Sequence, residues 1–348
     1  MNNQCKEVRK LLSQMPKAKL GFLPTPLHYL ERMSGLTGTE IYIKRDDYAG
    51  ISQFGGNKIR KLEYLLQDAV NGDADTVITY GASQSNHAMQ TAAACIRLGL
   101  NPLLFLVNLQ EENEVPMANM ILNSILGAEI HMEPCHGESF GEGLKRSRVR
   151  AARRIRELEE EGHRCYEIPM GGATALGSIG FIEGFIEMTE QMEEMGLSAD
   201  HLFHASGSGG TLAGLAAGKC LTGSPVRIHG VGVGISHEKY MEEVCVLANE
   251  ALDLLHSSIR VTIEDFLFHE AYGGPGYEKP GRESIEAMKL LARTEGLFLD
   301  PVYTAKAFCG MLDQIEKGVI ERGSTVVFWH TGGVQALFAE KEILGSLT

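Results

Sequence analysis

Positive charge is in short supply: 32 Lys and Arg stand against 45 Asp and Glu, a net charge of −13. That balance argues against a nucleic-acid or membrane-surface partner. An anionic ligand would need a local device, such as a helix N-terminus or a Gly-rich loop. Long apolar runs are missing too; none approaches the length of a membrane span. The cysteines (Cys5, Cys95, Cys135, Cys165, Cys220, Cys245 and Cys309) are odd in number and form no Cys-x-x-Cys pair. They give no sign of a structural zinc site, so no metal is expected, and they fit reduced thiols. Residues Met1 to Lys6 are polar and lack a signal-peptide core, so a cytoplasmic location is expected. Repeats, low-complexity tracts and long linkers are also absent. No domain seam is therefore visible in composition, although 348 residues exceed one small core and predict two domains.

What is present is alternation. Thr76–Tyr80, Pro102–Val107, Glu129–Met132, Cys165–Ile168, His201–Ala205, Ile228–Val233 and Thr325–Trp329 read as strands. Between them, 86–98, 116–126, 142–161 and 177–195 read as helices, and the later strands each precede a helical pattern. Strand–helix alternation implies an α/β fold with parallel sheets covered by helices. In such sheets ligands gather at the carboxyl ends of strands. Three Gly/Ser/Asn-rich junctions lie there: Gly81–His87, Ser206–Thr211 and His330–Gly333.

Lys58 is the most informative residue. It follows Gly55, Gly56 and a helix-capping Asn57, and Ile59, Leu62, Leu65 and Leu66 repeat at helical spacing. The first turn of a helix exposes partly positive N–H groups, where an amine loses its proton more easily. Lys58 reads either as a nucleophilic lysine or as a surface lysine in a basic first turn.

The 206–211 loop follows a strand and opens a helix. Its glycines allow close approach of backbone N–H groups to an anion, and Ser206, Ser208 and Thr211 add hydroxyl donors. It reads as a phosphate cradle or as an ordinary tight turn. The dinucleotide fingerprint fails, because Leu212 stands where a third small residue is required, and no Walker spacing surrounds Gly218-Lys219. Ser85, Asn86 and His87 open another helix, whose N–H groups suit a carboxylate; Ser85 or Asn86 can also simply cap it. Tyr272, Tyr277 and Tyr303 sit in or near Gly/Pro-rich turns, as proton donors or as packing residues. A reactive lysine, a phosphate cradle, a carboxylate-binding helix terminus and tyrosines form the set that pyridoxal phosphate needs to act on an amino acid.

The segments Pro24-Thr25-Pro26-Leu27, Ile43-Lys44-Arg45-Asp46-Asp47 and Gly55-Gly56-Asn57-Lys58-x-Arg60-Lys61-Leu62-Glu63 resemble the fold-type II pyridoxal-phosphate enzymes. Gln84-Ser85-Asn86-His87, Gly207–Thr211, Leu299–Thr304 and His330–Gly333 extend the match in order, from about residue 18 to the C-terminus. The branch is that of D-cysteine desulfhydrase and aminocyclopropane-carboxylate deaminase, with the former the nearer.

The resemblance implies two open, mostly parallel twisted sheets covered by helices. A small domain of 68–175 would be inserted in a large one of 1–67 and 176–348, with cofactor between them and a homodimer as the assembly. It implies that Lys58 carries the cofactor, and that Lys61, Ser208, Gly209, Gly210 and Thr211 hold its phosphate. Asn86 would bond its 3′-oxygen, and Ser85, Asn86 and His87 would bind substrate. Ser85, Tyr277 and Tyr303 would join Lys58 in catalysis. Thr304 stands where the deaminase has a glutamate facing the ring nitrogen. A threonine cannot neutralise charge there, so the ring should be a weaker electron sink, which suits β-elimination, most simply of D-cysteine. The alternatives are L-cysteate sulfo-lyase, aminocyclopropane-carboxylate deaminase, another amino-acid deaminase, or a non-catalytic amino-acid-binding protein. Met89 replaces an arginine expected in the desulfhydrases, and Ser83 a bulkier apolar residue, so substrate identity turns on this loop.

Overall fold

The computed structural model describes residues 3–109, 117–234 and 237–339. Strands β1 (Leu27–Tyr29) and β2 (Glu40–Arg45) come first. Then follow β3 (Thr76–Ala82), β4 (Asn101–Asn108), β5 (Glu129–Pro134) and β6 (Cys165–Ile168). The last are β7 (His201–Ser206), β8 (Arg227–Gly232), β9 (Phe266–His269) and β10 (Thr325–His330). The first and last groups form one sheet in the order β1-β2-β10-β7-β8-β9; the middle group forms a second in the order β5-β4-β3-β6. Among these described strand pairs only β1 against β2 is antiparallel. The fold is thus α/β, with two open, mainly parallel sheets under helices. Strands β3 and β7 are buried at every position, as sheets covered on both faces require.

The 86–98 helical reading holds as Asn86–Leu98, and the others hold with shifted ends. Segment 142–161 is helical over Phe140–Glu160, and 177–195 over Ala175–Glu194. The 116–126 reading becomes Asn119–Ile125, its residue 116 lying outside the described residues. Strands β1, β2 and β9 escaped the sequence reading; β1 and β9 span only three or four residues, and β2 (Glu-Ile-Tyr-Ile-Lys-Arg) buries its Lys44 and Arg45 where alternation would put polar groups in solvent.

Three helices bring the functional loops together. Lys58–Asn71, Ala175–Glu194 and Gly210–Thr222 pack at glycines: a Cβ on Gly180 would lie 2.2 Å from Arg60 O, and one on Gly214 2.2 Å from Ser178 O. Backbones can approach that closely only without side chains. A buried charge network fixes the base of the first helix. Arg60 Nε donates to Asp46 Oδ2 at 2.7 Å and its Nη2 to Glu187 Oε1 at 2.9 Å. Lys44, wholly buried, also pairs with Glu187 and donates to Thr25 O at 2.7 Å. Burial pushes the Glu187 carboxyl up, but Arg60 and Lys44 outweigh it and hold the pKa at about 2.

Candidate active site

The carboxyl ends of β3, β7 and β10 and the start of the Lys58 helix converge on one pocket. Of the residues singled out from sequence, Lys58, Ser85, Asn86, His87, Ser208, Gly209, Thr211, Tyr277 and Tyr303 line it. Lys61, Gly210 and Thr304 do not, and neither do Ser83 and Met89.

Lys58 is the first residue of its helix. Its Nζ donates to Asn57 Oδ1 at 2.9 Å. Asn57 holds the N-cap position, but its side chain makes no capping bond; the oxygen expected to cap the helix holds the amine instead. Burial lowers the Lys58 pKa to about 8, with Asp300 and Asp46 opposing part of the shift. The amine is therefore part-neutral near physiological pH, as a nucleophile must be.

At the second helix start, Ser85 does cap: its Oγ accepts from Ala88 N at 3.2 Å while also lining the pocket. The amides of Asn86 and His87 occupy a first turn, where no intrahelical carbonyl reaches them. Thr79 Oγ1 donates to Ile168 O, so its 2.9 Å contact with His87 Nε2 makes that nitrogen the proton carrier. His87 Nδ1 is then a buried lone pair without a partner. Burial, with Lys58 and Lys61 nearby, holds His87 well below the usual imidazole range and keeps it neutral.

Asn86 is oriented by residues the sequence reading missed. Its Oδ1 accepts from Asn119 Nδ2 and from Gln335 Nε2, both at 2.8 Å. Asn119 in turn donates to Gln84 O at 2.8 Å, and Gln335 to Asn119 Oδ1 at 3.0 Å. With its oxygen doubly bonded, Asn86 offers Nδ2 as a donor.

Lys61 lies behind the 206–211 loop. It is 1% exposed, and its Nζ donates to Gly171 O at 3.1 Å. Burial, with Lys58 second, lowers its pKa well below the usual value. A Cβ on Gly210 would come within 2.9 Å of Lys61 Nζ and 3.0 Å of Ala173 Cα. A buried amine with one carbonyl partner, beside the first turn of the Gly210–Thr222 helix, would regain its charge against a bound anion. The phosphate of pyridoxal phosphate fits that cradle. Lys58 could take its aldehyde and Asn86 Nδ2 its ring oxygen, so these side chains suit the group.

The two tyrosines meet. Tyr277 and Tyr303 share a hydroxyl–hydroxyl hydrogen bond, their rings 5.9 Å apart and edge-on. Burial raises both above the usual phenol range. Phe140 packs on Tyr277 from the other sheet's helices, with centroids 5.6 Å apart.

Thr304 departs from expectation. Its Oγ1 accepts from Asp300 N at 2.7 Å and donates to Asp300 Oδ1 at 2.6 Å. The hydroxyl expected to face a ring nitrogen thus spends its proton on Asp300, whose carboxylate also takes the amides of Val302 and Tyr303. Ser83 Oγ is buried without a partner, and Met89 is 2% exposed. Among the described residues no group of three His, Cys, Asp or Glu could hold a metal, and no helix is long and apolar enough to cross a membrane.

Residues 18–332 match the family model described as pyridoxal-phosphate dependent enzyme. The chain belongs to that family. Pyridoxal phosphate is accordingly its cofactor, and the chain is an enzyme of the desulfhydrase and deaminase branch. It is similar to a D-cysteine desulfhydrase of Salmonella typhi, 41% identical over 94% of this chain and 97% of that one. It is also similar to a Pyrococcus furiosus protein named "Putative 1-aminocyclopropane-1-carboxylate deaminase", 39% identical over 95% and 96%. A solved structure of an ACC deaminase homologue superposes with a TM-score of 0.85, at 36% identity, covering 97% of each chain.

Proposed function

We propose that this enzyme catalyses α,β-elimination of a β-substituted amino acid, D-cysteine foremost, giving pyruvate, sulfide and ammonia. The observation that carries this reading is a missing charge: none of the described residues lining the pocket is Asp or Glu. With no carboxylate to hold a proton on the ring nitrogen, the cofactor is a modest electron sink. Elimination tolerates that, because the departing β-substituent takes the electron pair; opening a cyclopropane ring demands more. The relatives named D-cysteine desulfhydrase favour the same substrate.

Bound pyridoxal phosphate supplies an aldehyde that captures the substrate amine and a conjugated ring that delocalises charge from Cα. The chain's own residues do the rest. The Asn86 and His87 amides bind the substrate carboxylate, with neutral His87 adding no competing charge. Lys58 Nζ, with a pKa of about 8, takes the Cα proton; Ser85 Oγ is the rival base. The joined Tyr277 and Tyr303 hydroxyls deliver a proton to the leaving sulfur, one donating while the other re-supplies it. Ser208, Gly209, Gly210 and Thr211, with Lys61 behind them, hold phosphate. Residues 68–175 serve as the smaller domain, inserted in a larger one of 1–67 and 176–348 with the cofactor between them. The enzyme works in the cytoplasm as a homodimer.

The test is a side-by-side assay of D-cysteine, L-cysteine, L-cysteate and aminocyclopropane-carboxylate for keto acid and ammonia. Pyruvate with sulfide from D-cysteine is expected. A four-carbon keto acid from the cyclopropane substrate, with none from any thiol or sulfonate, overturns the reading.

A further inference from the structure

Lys306 is wholly buried on the Thr304–Glu316 helix, two residues beyond Thr304. Its Nζ donates to Val233 O at 3.1 Å, Gly273 O at 2.8 Å and Gly276 O at 2.8 Å. An ammonium has three N–H donors, and three backbone carbonyls take them. Burial, only partly opposed by the charges of Asp300 and Glu278, lowers its pKa to about 8. An apolar side chain would fill the space without that desolvation cost, so the charge needs a reason beyond packing.

The three carbonyls show what it holds. Val233 follows β8, whereas Gly273 and Gly276 belong to the turn leading into Tyr277. These segments stack backbone on backbone: a Cβ on Gly234 would lie 2.9 Å from both Gly276 C and Tyr277 N. The same helix grips the turn again further along. Tyr272 lies over Gly310, and its hydroxyl meets Asp313 and accepts from Gln314 Nε2 at 2.7 Å. The helix begins directly after Tyr303, the partner of Tyr277. Lys306 therefore ties the turn before Tyr277 to the helix that follows Tyr303.

We propose that Lys306 is a positioning residue, a built-in monovalent cation whose three-carbonyl cage sets the Tyr277 hydroxyl against Tyr303 in the wall of the catalytic pocket. Its link to turnover rests on the tyrosine roles proposed above; the cage itself does not. Lys306→Ala leaves the carbonyls without a cation and with room for a small one. Lys306→Met keeps the buried stem without charge.

Both holoenzyme variants are expected to retain cofactor absorbance and to lose kcat on the order of ten-fold or more, with little change in KM. Methylammonium or ammonium should restore kcat and raise the melting temperature of the alanine variant. Neither should act on the wild type or the methionine variant, and tetramethylammonium, too large for the cage, should act on none. In a Tyr277→Phe background, Lys306→Met should cost little further kcat, since both act through one hydroxyl. Wild-type kcat in Lys306→Met, fully additive losses, or an alanine variant indifferent to small amines in both activity and melting would overturn the proposal. Wild-type kcat in Tyr277→Phe alone would refute the tyrosine role, while methylammonium-dependent melting of Lys306→Ala would still establish the cage. If the alanine variant fails to fold, the methionine variant and the double-mutant comparison decide.

Discussion

Replacing Lys58 by methionine should make the cofactor-free protein more stable at neutral pH. Burial moves the amine from the ordinary lysine value of 10.5 to about 8. At about 1.36 kcal/mol per pH unit, that displacement corresponds to a cost of roughly 3.4 kcal/mol for folding with the amine charged. The side chain keeps partial solvent access, which reduces the figure to about 2 kcal/mol. Methionine also strands Asn57 Oδ1, which now accepts from Nζ, returning up to about 1 kcal/mol. The net expectation is a gain of about 1–2 kcal/mol, or a few degrees in melting temperature.

The pH dependence identifies the cause. Below pH 8 the amine is charged in both folded and unfolded chains, and the cost is present in full. Between pH 8 and 10.5 the folded form binds fewer protons than the unfolded one, so wild-type stability rises relative to the variant. Above 10.5 the cost is gone. Denaturant melts of both apoproteins at pH 7 and pH 10 measure this. A variant no more stable at pH 7, or an advantage undiminished at pH 10, would refute the reasoning.

Other perturbations have defined outcomes. Gly210→Ala sets a Cβ 2.9 Å from Lys61 Nζ and should weaken pyridoxal-phosphate uptake by about ten-fold or more, an overpacking cost of ~1–3 kcal/mol read by absorbance titration of apoprotein. Asn119→Ala frees Asn86 to rotate, and the same titration should show about ten-fold weaker binding, one hydrogen bond's worth, with cofactor absorbance altered. Arg60→Met leaves Asp46 and Glu187 buried with too little positive charge and should cost about 3–5 kcal/mol in urea unfolding.

The site was legible where chemistry is local. Lys58 after two glycines and Gly207–Thr211 after β7 announce themselves because strand–loop–helix junctions concentrate free N–H groups. Side-chain direction was not legible. Asn57 could cap its helix or hold the amine, and only its rotamer decides. Thr304 curls back onto Asp300, a local bond that no spacing distinguishes from one to a ligand. Asn119 and Gln335 carried no signal, because they reach Asn86 from 33 and 249 residues away. Alternation gave α/β, whereas the insertion of the four-stranded sheet between strands of the six-stranded one came from resemblance. Periodicity specifies elements, not which sheet a strand joins.

One measurement tests the central claim most directly. Holoenzyme reduced with borohydride and digested should carry the pyridoxyl group on Lys58, and Lys58→Ala should yield no reducible label. Label on Lys61 or another lysine, or none on wild-type protein saturated with pyridoxal phosphate, would contradict the account.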